Sequence, residues 1–510
     1  MPARCTAAAL LALSASLQPP VPRRTHLKRH ASTDDAALLD AYRAEIAPDA
    51  ADDWWREFVA ATERPPRPAV RCVDAAAAAA LRASTECEEI PWAPGRGYWL
   101  NEEPSKRVAH VAGDYYVQEA AAMVAVAALL RGEDLRRRVV AVDACAAPGG
   151  KTVQLATALR DAGADAVVVA NEPSSSRLGA LVANAVRCGV GPWLRCTRTT
   201  GQKLFAALPR ECADFILLDA PCSGDTLARR EGRGLAKHLR GQPDAASMKE
   251  IVATQLEIVR AAWPCLRPGG ALVYATCSLR PREDEDIVDQ VLKEFGDAEL
   301  EDLSGLAAGG DATLRLWPQT HDSAGFFAAK LRKAGDGGGA AVATDADEDV
   351  ADAARDYLRD AWGVTSLVGP ASSRLVGRGA NLWLAPAAPP LAKNLRYERA
   401  GAKLVEALKV RGKAVPLGQA LRSGRVRATH EFATTLGGAV DGARRASLDD
   451  ASALAYLRGD DVDAAPPSGE PGDQCLVAHG GRVLGLAKVL KGGRLKNQLP
   501  RECVRRDLAF

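Results

Sequence analysis

From Asp34 to about Arg64 the apolar residues recur at spacings of three and four: Leu38, Leu39 and Tyr42, then Trp54, Trp55, Phe58 and Val59. This period predicts helices whose aromatic face is core. Residues 66–110 mix short apolar runs with an Ala-rich helical stretch, Asp74–Arg82, and the aromatic segment Ile90–Leu100, which predicts a small α/β unit over 34–110 together with the helices. Between Val117 and Phe327 apolar runs of strand length alternate with longer helical stretches, the pattern of a parallel sheet wound with helices. The fold class is therefore α/β, with its largest domain over 111–333. Gly335–Ala354 holds a Gly triplet and hardly any large apolar residue, so 334–356 reads as a solvated linker to a further region, 357–510. At the other end, Arg4, the apolar run Ala7–Leu13, small residues and then Pro-rich basic sequence run without an acid as far as Asp34. Residues 1–33 read as a removable targeting segment for a plastid or a mitochondrion, or for the secretory route, and its apolar run is too short to span a bilayer.

Composition narrows the class. Of 510 residues, 47% are hydrophobic and 25% charged, which excludes a mainly disordered or membrane-embedded chain. The net charge of +2 does not announce a polyanionic partner, and Arg4, Arg23, Arg24, Lys28 and Arg29 account for more than that excess. A nucleic-acid surface must then be local. Residues 480–510 supply one: Arg482, Lys488, Lys491, Arg494, Lys496, Arg501, Arg505 and Arg506 stand against only Glu502 and Asp507. Twelve cysteines are too sparse for a disulfide scaffold, and without a Cys-x-x-Cys pair they point to a reducing compartment and no metal.

Three segments carry candidate chemistry. Val139–Asp143 is a buried strand, followed by the small-residue turn Ala144-Cys145-Ala146-Ala147-Pro148-Gly149-Gly150-Lys151-Thr152 and a helical pattern over Val153–Leu159. Such a turn brings backbone N–H groups close to a ligand at the carboxyl edge of a sheet. Cys145 stands where a Walker loop needs its first Gly, so a nucleoside-triphosphate site is disfavoured. The next strand, Ala166–Ala170, ends in Asn171-Glu172, where a carboxylate can accept hydrogen bonds from ribose hydroxyls. Strand Phe215–Leu218 runs into Asp219-Ala220-Pro221-Cys222-Ser223-Gly224, and strand Ala271–Ala275, after an expected turn at Pro268-Gly269-Gly270, ends at Thr276-Cys277-Ser278. Two cysteines thus project from one sheet edge, the same edge as the first turn.

The strings DACAAPGGKT (143–152), LLDAPCSG (217–224) and YATCS (274–278), preceded by QEAAAM (118–123), closely resemble the Nop/Sun family of RNA cytosine-5 methyltransferases over residues 80–333. The resemblance implies a Rossmann-like catalytic domain and S-adenosylmethionine as cofactor, held by the backbone of Cys145–Lys151 with Glu172 on the ribose and Asp219 nearby. It puts the nucleophile in the Thr-Cys motif, Cys277, and assigns Cys222 to the release of the covalent adduct. Asp219 is placed to share a proton at cytosine N3. One departure stands out: where relatives carry an acid near the adenine, this chain has Thr199 and Thr200. A second lies after Cys222, where Arg229-Arg230-Glu231 replaces the usual Arg-Lys-Asp-Pro.

RLWPQTHDSAGFFAAKL (315–331) and GRVLGLAKVLKGGRLKNQLPRECV (481–504) resemble the bacterial type F branch of this family, which modifies small-subunit ribosomal RNA and ends in a PUA-like RNA-binding region. That implies 357–510 as this region, with Lys488, Lys491, Arg494 and Lys496 on RNA. The expected protein is a monomer acting on a single-stranded or loop cytosine of ribosomal RNA. Transfer RNA is the rival substrate, and a non-catalytic ribosome-assembly factor the rival class. Trp92, Tyr98 and Trp99 are expected in the core rather than stacked on RNA.

Overall fold

The computed structural model describes residues 33–232, 234–307, 312–337, 348–392, 395–464 and 470–508. Apart from Thr33, the segment read as a targeting sequence lies outside them. Four short strands, β1 (Ala69–Cys72), β2 (Cys87–Glu89), β3 (Gly97–Leu100) and β4 (Tyr115–Val117), form an antiparallel sheet in the order β2-β3-β1-β4. Asp74 caps the Ala-rich helix Ala75–Ser84 by accepting from the Ala77 N–H at 2.7 Å. Trp92, Tyr98 and Trp99 are buried, as their apolar setting requires. The fourth strand lies past residue 110, because Val117 pairs with Val70 rather than opening the next domain.

The helices Thr33–Ile46 and Asp52–Thr62 pack away from this sheet. Tyr42, Ile46, Trp55 and Phe58 share a core with Ala228, Leu235, Leu239 and Leu279, residues that follow the two cysteine motifs. The amino-terminal helices are therefore part of the floor beneath the candidate site.

The large sheet comprises β5 (Arg138–Asp143), β6 (Asp165–Asn171), β7 (Leu194–Thr197), β8 (Ala213–Asp219), β9 (Leu266–Thr276), β10 (Ala298–Glu301), β11 (Leu314–Leu316) and β12 (Phe326–Lys333). Its order is β10-β12-β9-β8-β5-β6-β7, with β5 to β9 parallel and β12 antiparallel on β9. Helices cover both faces, so Val139–Val142 can be wholly apolar. The strand order reverses between β5 and β8, and crevices form outside the carboxyl ends at such a switch point. The expected turn at Pro268–Gly270 is instead a bulge inside β9: Ala213 pairs with Leu266 and Phe215 with Ala271, so the extra residues bow out without ending the strand.

One expectation for the carboxyl-terminal part needs correction. Residues 348–356 are not linker but the start of a helix, Glu348–Trp362, because Val350, Ala353, Ala354, Leu358 and Trp362 fall on one buried face. The small side chains of that face disguise it as low-complexity sequence. The region 357–510 contains two sheets. β13 (Arg374–Arg378), β14 (Asn381–Ala385), β15 (Ala402–Ala407) and β16 (Val426–Ala428) form an antiparallel sheet under that helix. β17 (Arg445–Ser447), β18 (Val462–Asp463), β19 (Gln474–His479), β20 (Arg482–Val489) and β21 (Arg494–Asn497) form the second, in the order β17-β19-β20-β21-β18.

Leu358→Ala should destabilise the chain by about 2–5 kcal/mol, because it opens a cavity beneath β13 to β15. Denaturant unfolding checks this, and a change near zero would restore the linker reading.

Candidate active site

β8 and β9 run parallel with Asp219 opposite Ala275, so the chain leaves both strands at the same edge and the two cysteine turns lie side by side. Cys222 Sγ stands 3.2 Å from Cys277 Sγ. Gly224 holds the first turn with a φ of +67°, and a Cβ there would press on Leu227 at 3.0 Å. The Thr226 hydroxyl donates to the Cys277 carbonyl at 2.8 Å, and the Leu279 N–H donates to buried Asp225 at 3.1 Å. Tyr42, from the first amino-terminal helix, donates its hydroxyl to the same carboxylate at 2.5 Å. The thiol of Cys222 is pushed well above its ordinary pKa by its hydrogen bond to Cys277, by burial, and by the negative charges of Cys277, Glu283 and Asp219.

Beside the thiols, the Lys151 ammonium donates to Asp219 Oδ2 at 2.8 Å. Burial alone would pull this ammonium down, but Asp219, helped by Cys277 and Asp143, holds the Lys151 pKa raised. Its charge also lies 4.9 Å from the ring centroid of Phe326. Lys151 was expected to contribute backbone alone, and its side chain instead joins the cofactor turn to Asp219.

The turn is built for close approach. Gly149, with a φ of +111°, starts the helix Gly150–Asp161, and a Cβ on it would come within 3.0 Å of Leu181. A Cβ on Gly150 would come within 3.2 Å of Tyr116. Below the turn, Asp143 Oδ2 accepts from the Thr152 hydroxyl at 2.6 Å, while its Oδ1 is buried without a partner. Burial raises the Asp143 carboxyl to about 7, although the Thr152 hydroxyl pulls the other way. Glu172 follows β6, buried, with one oxygen accepting from the Ser174 N–H at 2.9 Å and the other 3.4 Å from Arg177. An orphaned buried oxygen under a cradle of small residues fits a polar small molecule approached by backbone N–H groups. Thr200 is exposed and caps the helix Gly201–Ala207, accepting from the Lys203 N–H at 3.4 Å.

The expected RNA contacts lie in a different unit from the thiols. Lys488 of β20 pairs in register with Lys496 of β21, and Lys491 and Arg494 flank the turn between them. Like charges directly opposite repel, so this face favours an anion. Arg494 is 3.7 Å from Asp463. Arg482 turns away from that face and pairs with Asp114 at 2.7 Å and Asp74 at 3.3 Å, joining the last sheet to the first.

Sequence reasoning missed Tyr42, Asp225 and Glu283, whose partners lie far along the chain. The one available signal for Glu283 was an acid placed just past a proline turn after Cys277. Among the described residues no group of three or more His, Cys, Asp or Glu is arranged to hold a metal ion, and no helix is long and apolar enough to cross a membrane.

The chain matches the family model described as 16S rRNA methyltransferase RsmB/F over residues 132–332. The N-terminal domain of 16S rRNA methyltransferase RsmF matches over 41–120, and the methyltransferase RsmF PUA domain over 443–505, which is the second carboxyl-terminal sheet. Ribosomal RNA small subunit methyltransferase F of Serratia proteamaculans (strain 568) is 34% identical over 499 residues, covering 92% of this chain and 96% of its own. The protein of the same name from Aeromonas salmonicida (strain A449) is 34% identical over 480 residues, covering 89% and 94%. The crystal structure of PH0851 is similar in fold, with 24% identity and a TM-score of 0.51 over 60% of this chain and 70% of that one.

Because the Asp143 carboxyl ionises near 7 when folded and near its ordinary 3.8 when unfolded, the native state binds its proton more tightly. The stability this lends is complete below the ordinary value and is lost as pH rises through 7. Melting of the ligand-free chain should therefore show a larger fall in Tm between about pH 5 and about pH 8 than the Asp143→Asn variant shows. Equal falls would place the ionisation elsewhere.

Proposed function

The chain belongs to the RsmB/F family of 16S rRNA methyltransferases, and from that premise we propose that it forms 5-methylcytosine in small-subunit ribosomal RNA through a covalent Cys277 adduct. The observation that carries this reading is the pair of sulfurs 3.2 Å apart beside the Lys151–Asp219 ion pair.

Cytosine C5 is a poor nucleophile until a thiolate adds to C6 and turns the ring into an enamine. Cys277 is the nucleophile. The addition pushes electrons toward N3, where Asp219 and the ammonium of Lys151 share a proton with the ring and stabilise the developing charge. S-adenosylmethionine, held by the backbone of Cys145–Lys151 with Glu172 toward its ribose, supplies the methyl group when bound. Solvent takes the C5 proton, the freed electron pair reforms the C5–C6 double bond, and the C6–S bond breaks with its pair on Cys277, to which the Cys222 thiol, kept protonated by its surroundings, donates. RNA is a partner through the PUA domain, where Lys488, Lys491, Arg494 and Lys496 suit phosphate contact. The acid-free basic amino terminus supports an organelle as the site of action.

Incubation with labelled S-adenosylmethionine and separate pools of ribosomal and transfer RNA should place label in the ribosomal pool as 5-methylcytosine. Label in transfer RNA would transfer the reading to that substrate, and RNA binding without label would favour an assembly factor. Cys277→Ala should abolish turnover without adduct, whereas Cys222→Ala should accumulate a methylated protein–RNA adduct that resists denaturing gels. An adduct from Cys277→Ala would overturn the assignment of the nucleophile. Thr200→Asp keeps the helix cap and restores an acid near the adenine side, so it should tighten S-adenosylmethionine about fivefold by calorimetry with Tm unchanged.

A further inference from the structure

One buried carboxylate beside the thiols is given no step of its own in the reaction above. Glu283 ends the turn Pro281–Glu283 after β9 and is 0% exposed. It accepts from the Ser223 N–H at 2.8 Å and from the Ser223 hydroxyl, from the Ser278 hydroxyl at 2.8 Å, and from Gln255 Nε2 at 3.2 Å. Ser223 follows Cys222 and Ser278 follows Cys277, so this single side chain grips the residue next to each sulfur. Gln255 reaches the same unit from the other side, donating to the Pro221 carbonyl at 3.0 Å. The Tyr274 hydroxyl holds the Glu283 carbonyl at 2.5 Å, which anchors the staple to β9 itself. These donors to the carboxylate are neutral. A carboxylate buried among neutral donors is costly to desolvate, and an apolar side chain of similar size would fill the space more cheaply.

We propose that Glu283 is the positioning residue of the cysteine pair: its carboxylate ties the Cys222 turn to the Cys277 turn and sets the distance between the two sulfurs. Its negative charge is also among the influences that keep Cys222 protonated. The geometric part depends only on where the sulfurs lie, and its effect on turnover rests on the reading proposed above.

The test uses the full chain without RNA or cofactor, so that it does not depend on methylation. In Glu283→Gln the amide oxygen can still accept from the Ser223 N–H, and the amide nitrogen can donate to the two serine hydroxyls, which accept as readily as they donate. The staple survives and the charge is gone. Glu283→Ala removes both. Equilibration with glutathione, with the Cys222–Cys277 disulfide measured by peptide mass spectrometry, gives the effective concentration of one thiol at the other. It should fall about tenfold or more in Glu283→Ala and change less than about threefold in Glu283→Gln. If Glu283→Ala does not fold, the Ser223→Ala/Ser278→Ala double variant, which takes away both hydroxyl donors, should show the same direction of loss. The pH profile of Cys222 alkylation should move to lower pH in Glu283→Gln, a change that a purely structural role would not produce. A wild-type effective concentration in Glu283→Ala, or in the double variant, overturns the proposal. An unmoved alkylation profile in Glu283→Gln overturns the role of the charge. With RNA and S-adenosylmethionine added, Glu283→Ala should accumulate adduct as Cys222→Ala does; a wild-type chain that forms no 5-methylcytosine would sink the reaction reading while leaving the disulfide result to judge Glu283.

Discussion

The parallel register of β8 on β9 is the constraint on which the rest of the site depends. With Asp219 opposite Ala275, the strands end together, and whatever follows them must share one edge of the sheet. Sliding the register by one residue would turn every side chain to the other face and part the two sulfurs. The bulge at Pro268–Gly270 absorbs the mismatch at the opposite end of the pair, so the carboxyl ends remain level. The strand reversal between β5 and β8 opens the crevice, and the cofactor turn after β5 lines its other wall.

Around that edge the protein concentrates buried polar groups that an ordinary core would discard. Asp225 and Glu283 are both buried, and each connects segments distant in sequence. Asp225 joins the first amino-terminal helix to both cysteine turns, through the Tyr42 hydroxyl and the Leu279 N–H. Arg280 extends the same tie by pairing with Glu45 on that helix. The desolvation cost of such groups is offset only when the hydrogen bonds are complete, and complete networks make a rigid arrangement. Rigidity is what two hydrogen-bonded thiols require if one is to add to a base and the other to assist its departure.

The outer modules are joined to this centre by specific contacts. Arg482 ties the last sheet to Asp74 and Asp114 of the first unit, and Val108 is buried in the core of the last sheet. A basic face carrying Lys488 and Lys496 is thereby held in a set relation to the catalytic edge. Arg482 has a structural role and Arg494 lies near Asp463, while Lys488 and Lys496 stand opposite each other across the strands, a division that composition does not reveal.

Local patterns along the chain carry most of the elements and the placing of the candidate residues at strand ends. The wound parallel sheet, the turn after β5, Asp219 and both cysteines were legible because they depend on local patterns: apolar runs of strand length, small residues at a turn, and motifs at strand ends. The burial of Trp92, Tyr98 and Trp99 followed from the same logic. Tertiary structure decided what touches what. That Lys151 grips Asp219, that Glu283 holds both cysteine turns and that Arg482 serves a domain contact all arise between residues separated along the chain. The start of the helix at 348–362 was hidden for a related reason: Ala353 and Ala354 make up much of the buried face there, and alanine reads as core only when another surface is packed against it. Periodicity reports which face of an element is apolar; the partner of a buried polar group is chosen by packing, and no local pattern encodes it.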